Sequence, residues 1–98
     1  MSLGGIGVIS VLSNLLPKET HNICAEYLNG NCSVSSELQI KYTGLINALF
    51  CDVNPVPVKT AMNIVGMNVG PFRQPLYKMS DANLEFLKDK LSECGFKF

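Results

Sequence analysis

The chain has no run of like charge, and that absence narrows its partners first. Eight basic and eight acidic residues give zero formal net charge, and no basic stripe gathers the lysines. Nothing therefore points to nucleic acid or an anionic membrane, which are met through such clusters. Long hydrophobic runs are missing too: no apolar stretch approaches the ~20 residues that cross a bilayer. The apolar residues near the N-terminus have no Lys or Arg ahead of them, and Gly4, Gly5 and Gly7 interrupt them. That pattern does not fit a secretory leader. Cys24, Cys32, Cys51 and Cys94 form no C-x-x-C pair, so their spacing offers no metal cage. Reduced thiols in a cytoplasmic protein are the expectation. His21 is the one histidine and no H-E-x-x-H pattern frames it, so a solvated helix face is its expected place.

What is present is apolar. Hydrophobic residues make up 47% of the 98 positions and charged residues only 16%. For one small domain this fits a surface built to be covered. Gly4-Gly5-Ile6-Gly7-Val8-Ile9-Ser10-Val11 reads as a fully buried β-strand of the parallel-sheet type. Such a strand needs a neighbour on each edge and helices over its faces. No later segment matches it, so a lone buried-type strand suggests a piece of a larger α/β protein. Strand identity is set by neighbours more than by propensity. Without them residues 4–11 could instead extend the first helix.

Four helical patterns follow. Pro17 opens the first, Ile23, Cys24, Tyr27 and Leu28 share its apolar face, and Gly30 follows it as a left-handed stop. Ser33 is the expected N-cap of the second. Its stripe is Leu38, Tyr42, Leu45, Ile46, Leu49 and Phe50, a 3.6-residue period. Gly44 interrupts that helix at about 1 kcal/mol relative to alanine and predicts close packing there. Asn54 as cap and Pro55 as first residue start the third, with Val58, Ala61, Met62 and Val65 facing inward and Gly66 ending it. Met67 to Met79 reads as an irregular connection. Ser80 caps the fourth helix, Asp81 complements its dipole, Leu84, Leu87, Leu91 and Cys94 form its inner stripe, and Gly95 stops it.

One strand and four helices in that order suit the end of a (β/α)8 barrel followed by extra helices. Two segments make this specific. Gly7-Val8-Ile9-Ser10-Val11 with Asn14 resembles the eighth barrel strand of the dihydrodipicolinate (4-hydroxy-tetrahydrodipicolinate) synthase family. Asn54-Pro55-Val56-Pro57-Val58-Lys59 resembles that family's Asn-Pro-x-Pro-x-Lys segment, and Arg73-Gln74-Pro75-Leu76 its Arg-x-Pro-Leu stretch. The resemblance implies a mainly α fragment with one orphan strand. Residues 1–30 would be strand eight and helix eight of a TIM barrel, and residues 31–98 the C-terminal helical region. It covers about the last third of the enzyme. N-acetylneuraminate lyase, a related pyruvate aldolase, shares the architecture but matches the strand less well.

The family implies a pyruvate-dependent Schiff-base lyase that condenses pyruvate with aspartate semialdehyde on the route to diaminopimelate and lysine. It uses a lysine on strand six, a tyrosine and threonine relay and an arginine. None of these lies in the matched part, so no catalytic residue, cofactor or metal is expected in this chain, and alone it is expected to be inactive. Only Ile9 carries over, lining the pyruvate site through its backbone.

The remaining candidates have plainer readings. A Schiff-base lysine needs a desolvated amine. Lys59 follows two prolines at a helix start and is expected to pack its stem and bond a carbonyl. Tyr27, Tyr42 and Tyr77 are expected to pack, and the cysteines to behave as small hydrophobes. Gly4-Gly5-Ile6-Gly7 precedes its strand, unlike a dinucleotide loop. The expected partner is the chain itself, as a homodimer or higher assembly through the unpaired strand and bare helix faces. Pyruvate is a ligand only of the full-length enzyme. A non-catalytic helical dimerisation module is the alternative.

Overall fold

The computed structural model describes all residues, 1–98. Four α-helices form: α1 (Pro17–Leu28), α2 (Cys32–Ala48), α3 (Val56–Ile64) and α4 (Asp81–Glu93), preceded by a single 3₁₀ turn at Leu12–Asn14. No membrane-crossing helix occurs; none is long and apolar enough. The shape is elongated, 42 × 26 × 21 Å, with a radius of gyration of 14.4 Å, above the ~13 Å of a compact 100-residue domain.

The expected strand at residues 4–11 is not formed. Residues 5–10 carry no regular structure. A strand exists only through ladder bonds to neighbours, and here no neighbour is present. The segment does not extend α1 either, because Leu12–Asn14 turns between them. That turn is held by the Ser13 amide and hydroxyl, which donate to the Ser10 hydroxyl and carbonyl at 3.1 and 2.8 Å.

Three helices stop as their glycines predict. After α1 the Gly30 amide donates to Tyr27 O and the Asn31 amide to Glu26 O, with Gly30 at φ +88. This Schellman pattern satisfies carbonyls the helix would leave bare. Gly66 and Gly95 repeat it after α3 and α4. The turn also moves the start of α2. It delivers the chain into helix at Cys32 with Asn31 as N-cap and no side-chain cap bond, so Ser33 is not the cap. Asn31 spends its side chain on the Glu26 carboxylate, 2.7 Å away. The third helix likewise begins one residue later than expected, at Val56, because the Val56 amide closes a turn onto Val53 O at 2.8 Å. Ser80 caps α4 as expected, its hydroxyl accepting from the Asn83 amide at 3.2 Å.

The core joins α2, α3 and α4. Leu45, Leu49, Leu87, Leu91 and Val56 are its largest fully buried apolar side chains, with Tyr42, Ala48, Val58 and Ala61 among them. Leu12 and Leu15 enter from the 3₁₀ turn, and Met79 from the last connection. The α2 stripe is narrower than expected: Phe50 is exposed, and Leu38 and Ile46 only half-buried. Close packing at Gly44 is present, since a Cβ there would sit 3.3 Å from Lys90 Cδ on α4. Helix α1 gives the core no fully buried apolar residue: half-buried Ile23 packs against its edge, and the one buried side chain of the helix is Thr20. It is tied to α2 by Ser35, buried, whose hydroxyl donates to Ile23 O at 2.6 Å.

Candidate functional site

Helix α1 lies at the edge of the core, and apolar residues gather without a cover on the surface it shares with the N-terminal segment. Residues 5–11 lie across α1, with a groove on each flank. One groove, about 220 Å³, runs between Val8–Leu12 and α2, where Ile46 and Phe50 form its far wall. The other, about 400 Å³, is bounded by Ile6 and Gly7 on one side and by Pro17, His21 and Leu28 on the other. Thr20 and Cys24 floor both. The segment's own side chains are bare: Ile6 is 89%, Val8 57% and Ile9 108% exposed. Exposed apolar groups this concentrated mark a surface meant to meet something.

The chemistry available here is that of binding, not of bond breaking. Ile9 lies at the surface of this segment, and no lysine accompanies it between residues 1 and 17. Lys59 lies elsewhere, on α3. Its Nζ donates to Pro71 O at 2.8 Å and stands 5.9 Å from the Phe72 ring centre, the stem-packing, carbonyl-bonding role expected of it. His21 is exposed on α1. Tyr42 is a core residue, Tyr27 half-buried, and Tyr77 exposed, so the three tyrosines are spread over the molecule and form no relay. All four cysteines are free thiols. Burial pushes the Cys51 thiol above its ordinary value, with the Asp52 charge adding and its own backbone bond opposing. Burial also raises Cys94, helped by Glu93 and opposed by Lys41 and Lys90. Neither is the depressed thiol that a nucleophile requires. No group of three or more His, Cys, Asp and Glu is placed to hold a metal ion.

Sequence reasoning missed two asparagines that organise the connections. The Asn63 side chain accepts from the Val69 amide at 2.8 Å and donates to Gly70 O at 3.0 Å. Together with Lys59 it holds the 66–71 loop against α3. Asn83 reaches Cys51 O at 3.3 Å and Asp52 at 3.4 Å, linking α4 to the loop after α2. For Asn63 the one available signal was its place shortly before Gly66 and Gly70, where its amide can copy a backbone partner; nothing in the sequence marked Asn83.

Known proteins share this arrangement. The 4-hydroxy-tetrahydrodipicolinate synthase of Clostridium perfringens strain SM101 is 54% identical over 95 residues, 97% of this chain and 33% of that enzyme. The crystal structure of dihydrodipicolinate synthase from Thermotoga maritima superposes with a TM-score of 0.93 at 43% identity, over 98% of this chain and 32% of that one. The chloride-inhibited enzyme of Acinetobacter baumannii, solved with pyruvate, superposes at 0.90 and 34% identity, over 97% of this chain and 33% of that one. The chain thus spans about a third of the length of the relatives it matches, and the match falls on their C-terminal region. The Dihydrodipicolinate synthetase family profile matches residues 1–94, and the chain belongs to that family.

Proposed function

We propose that this chain corresponds to the C-terminal third of an enzyme that condenses pyruvate with aspartate semialdehyde through a Schiff base. In this reading residues 1–30 supply the last strand and helix of the barrel, and residues 31–98 the helical extension. The main chain at Ile9 borders the pyruvate site. The lysine, the proton relay and most of the pocket come from the other two thirds. The observation that carries the reading is 54% identity maintained over 95 residues, with no long unmatched segment. Active sites of barrels lie at the C-terminal ends of the strands, and this reading assigns Ile9 to such an end. The chain alone is inactive, because no nucleophile lies near that position.

Two measurements test this. A chimera in which this chain replaces the matching third of the Clostridium perfringens enzyme should condense pyruvate with the aldehyde; an inactive but folded chimera removes the reading. The isolated chain, treated with pyruvate and borohydride, should keep its intact mass. A stable adduct on any lysine would place a nucleophile where none is expected. On its own the chain self-associates through its bare apolar surface, so its mass in ultracentrifugation should rise with concentration.

A further inference from the structure

The peptide that joins Ile9 to Ser10 has no hydrogen bond of its own. The Ile9 carbonyl accepts none within the chain and the Ser10 amide donates none. Gly7, two residues earlier, offers no stiffness from that side. Order reaches Ile9 from the residues that follow it. The Ser13 hydroxyl donates to the Ser10 carbonyl at 2.8 Å, and the Ser13 amide donates to the Ser10 hydroxyl at 3.1 Å. The two bonds grip one residue twice, fixing the Ser10 carbonyl and its side-chain torsion together. Next to them, the Asn14 side chain and amide both donate to the Val11 carbonyl, at 3.0 and 3.1 Å. The turn that supplies these donors is anchored, because Leu12 and Leu15, which bracket Ser13 and Asn14, are core residues at 5% exposure each. Rigidity therefore passes from the core through Ser13 to Ser10, and from there to the Ile9 main chain.

We propose that Ser13 is a positioning residue for the pyruvate site, its two-bond clamp on Ser10 setting the direction of the Ile9 main chain. The proposal rests on the reading above that Ile9 borders that site, and it names what orients Ile9 there. Ser13 touches no substrate; it acts through Ser10. It also stands outside the residues that carry the family resemblance, which are Gly7 to Val11 and Asn14. Alanine at position 13 keeps the amide bond to the Ser10 hydroxyl and loses the hydroxyl bond to the Ser10 carbonyl. The turn itself survives, since Leu15 and Leu16 still donate to Leu12 O and the Asn14 amide to Val11 O. What is lost is the fixed direction of the main chain beside Ile9. A main-chain contact to pyruvate is made in the ground state and in the transition state alike, so its loss falls on KM and spares kcat. The aldehyde is not held by Ile9 in this reading, and its KM is the internal control.

The test uses the chimera described above, with this chain in place of the matching third of the Clostridium perfringens enzyme. Ser13→Ala should raise the pyruvate KM about three- to tenfold, the worth of one hydrogen bond, and leave kcat and the aldehyde KM within about twofold. Ser13→Thr keeps the hydroxyl and should restore the pyruvate KM. Ser10→Ala removes the other bond of the clamp and should show the same pattern, which also gives the answer should Ser13→Ala fail to fold. The double variant should lose less than the product of the two single effects, because both act on one clamp. Ser92→Ala, an exposed hydroxyl on α4, should change nothing. An unchanged pyruvate KM in both alanine variants overturns the proposal. So does a fall in kcat at constant KM, an equal rise in both substrates' KM, or a threonine variant that behaves like the alanine one. Each of these results is read in an active parent chimera and leaves the enzymatic reading standing. A folded parent chimera without activity overturns the enzymatic reading, and the positioning role with it.

Discussion

Asn63 shows how one side chain can set a loop's position. Its amide both accepts from Val69 and donates to Gly70, so it satisfies two main-chain groups of the loop after α3. Lys59, one helical turn earlier, adds a charged donor to Pro71 O. Each bond is partly solvent-exposed, which places its net worth near the modest end, about 0.5–1.5 kcal/mol. Asn63→Ala should therefore lower unfolding free energy by about 1 kcal/mol and Lys59→Met by about as much or less. The double variant should lose less than the sum, because the two grip adjacent residues of one loop. Urea titration of the three variants decides it, and full additivity would mean that the loop is held elsewhere. The thiols give a second expectation at this scale. Cys32 is exposed, whereas Cys51 and Cys94 are half-buried and raised. Alkylation at pH 8 should mark Cys32 first and Cys51 and Cys94 last, followed by peptide mass. The folded state holds the Cys51 and Cys94 protons more tightly than the unfolded chain. Their contribution is thus complete below the ordinary thiol value and declines as pH rises through the folded values.

Among the elements, α1 is attached and not embedded. Its apolar residues Ile23 and Cys24 are half-buried and Leu28 is exposed, and its buried polar link is the Ser35 hydroxyl on Ile23 O. Ser35→Ala leaves that carbonyl without this partner and should cost about 1–2 kcal/mol. The loss should appear as an earlier loosening of α1 while α2 and α4 hold. Site-resolved NMR during denaturation would show it, and a single shared midpoint for all helices would contradict the attachment. This element also marks where the sequence was legible and where it was not. The glycine stops at 30, 66 and 95 and the Ser80 cap were readable because their physics is local. The inner stripe of α4 was readable because Leu87 and Leu91 recur at helical spacing. Ser33 misled because the turn at Asn29–Asn31 starts α2 early, and tertiary bonding takes Ser35. Phe50 misled because periodicity names a face, not whether another element reaches it. Residues 4–11 misled most: their composition is that of a buried strand, but a strand forms only through ladder bonds to neighbours, and residues 5–10 carry no regular structure. For the candidate surface, the apolar character of residues 6–11 was legible, while the two grooves beside it depend on α2 standing next to α1.

For the whole molecule, stability should follow this layering. Fully buried side chains concentrate where α2 meets α4, at Leu45, Leu49, Leu87 and Leu91. Only 15 of 98 residues are buried, a thin core that places the domain near the low end of about 5–15 kcal/mol. Amide exchange is expected to rank the layers in turn. The amides of Gly5–Ser10, with no acceptor, should exchange at the rate of an unstructured chain. Those of α1 should be protected by less than the global value, because the helix contributes no fully buried apolar side chain. Those in the middle of α2 and α4 should open only with global unfolding. Measured at low protein concentration, this order follows from which groups are paired and how deeply. Protection at Ile6, Val8 and Ile9 in the isolated chain would mean that the segment had found a ladder in a second copy.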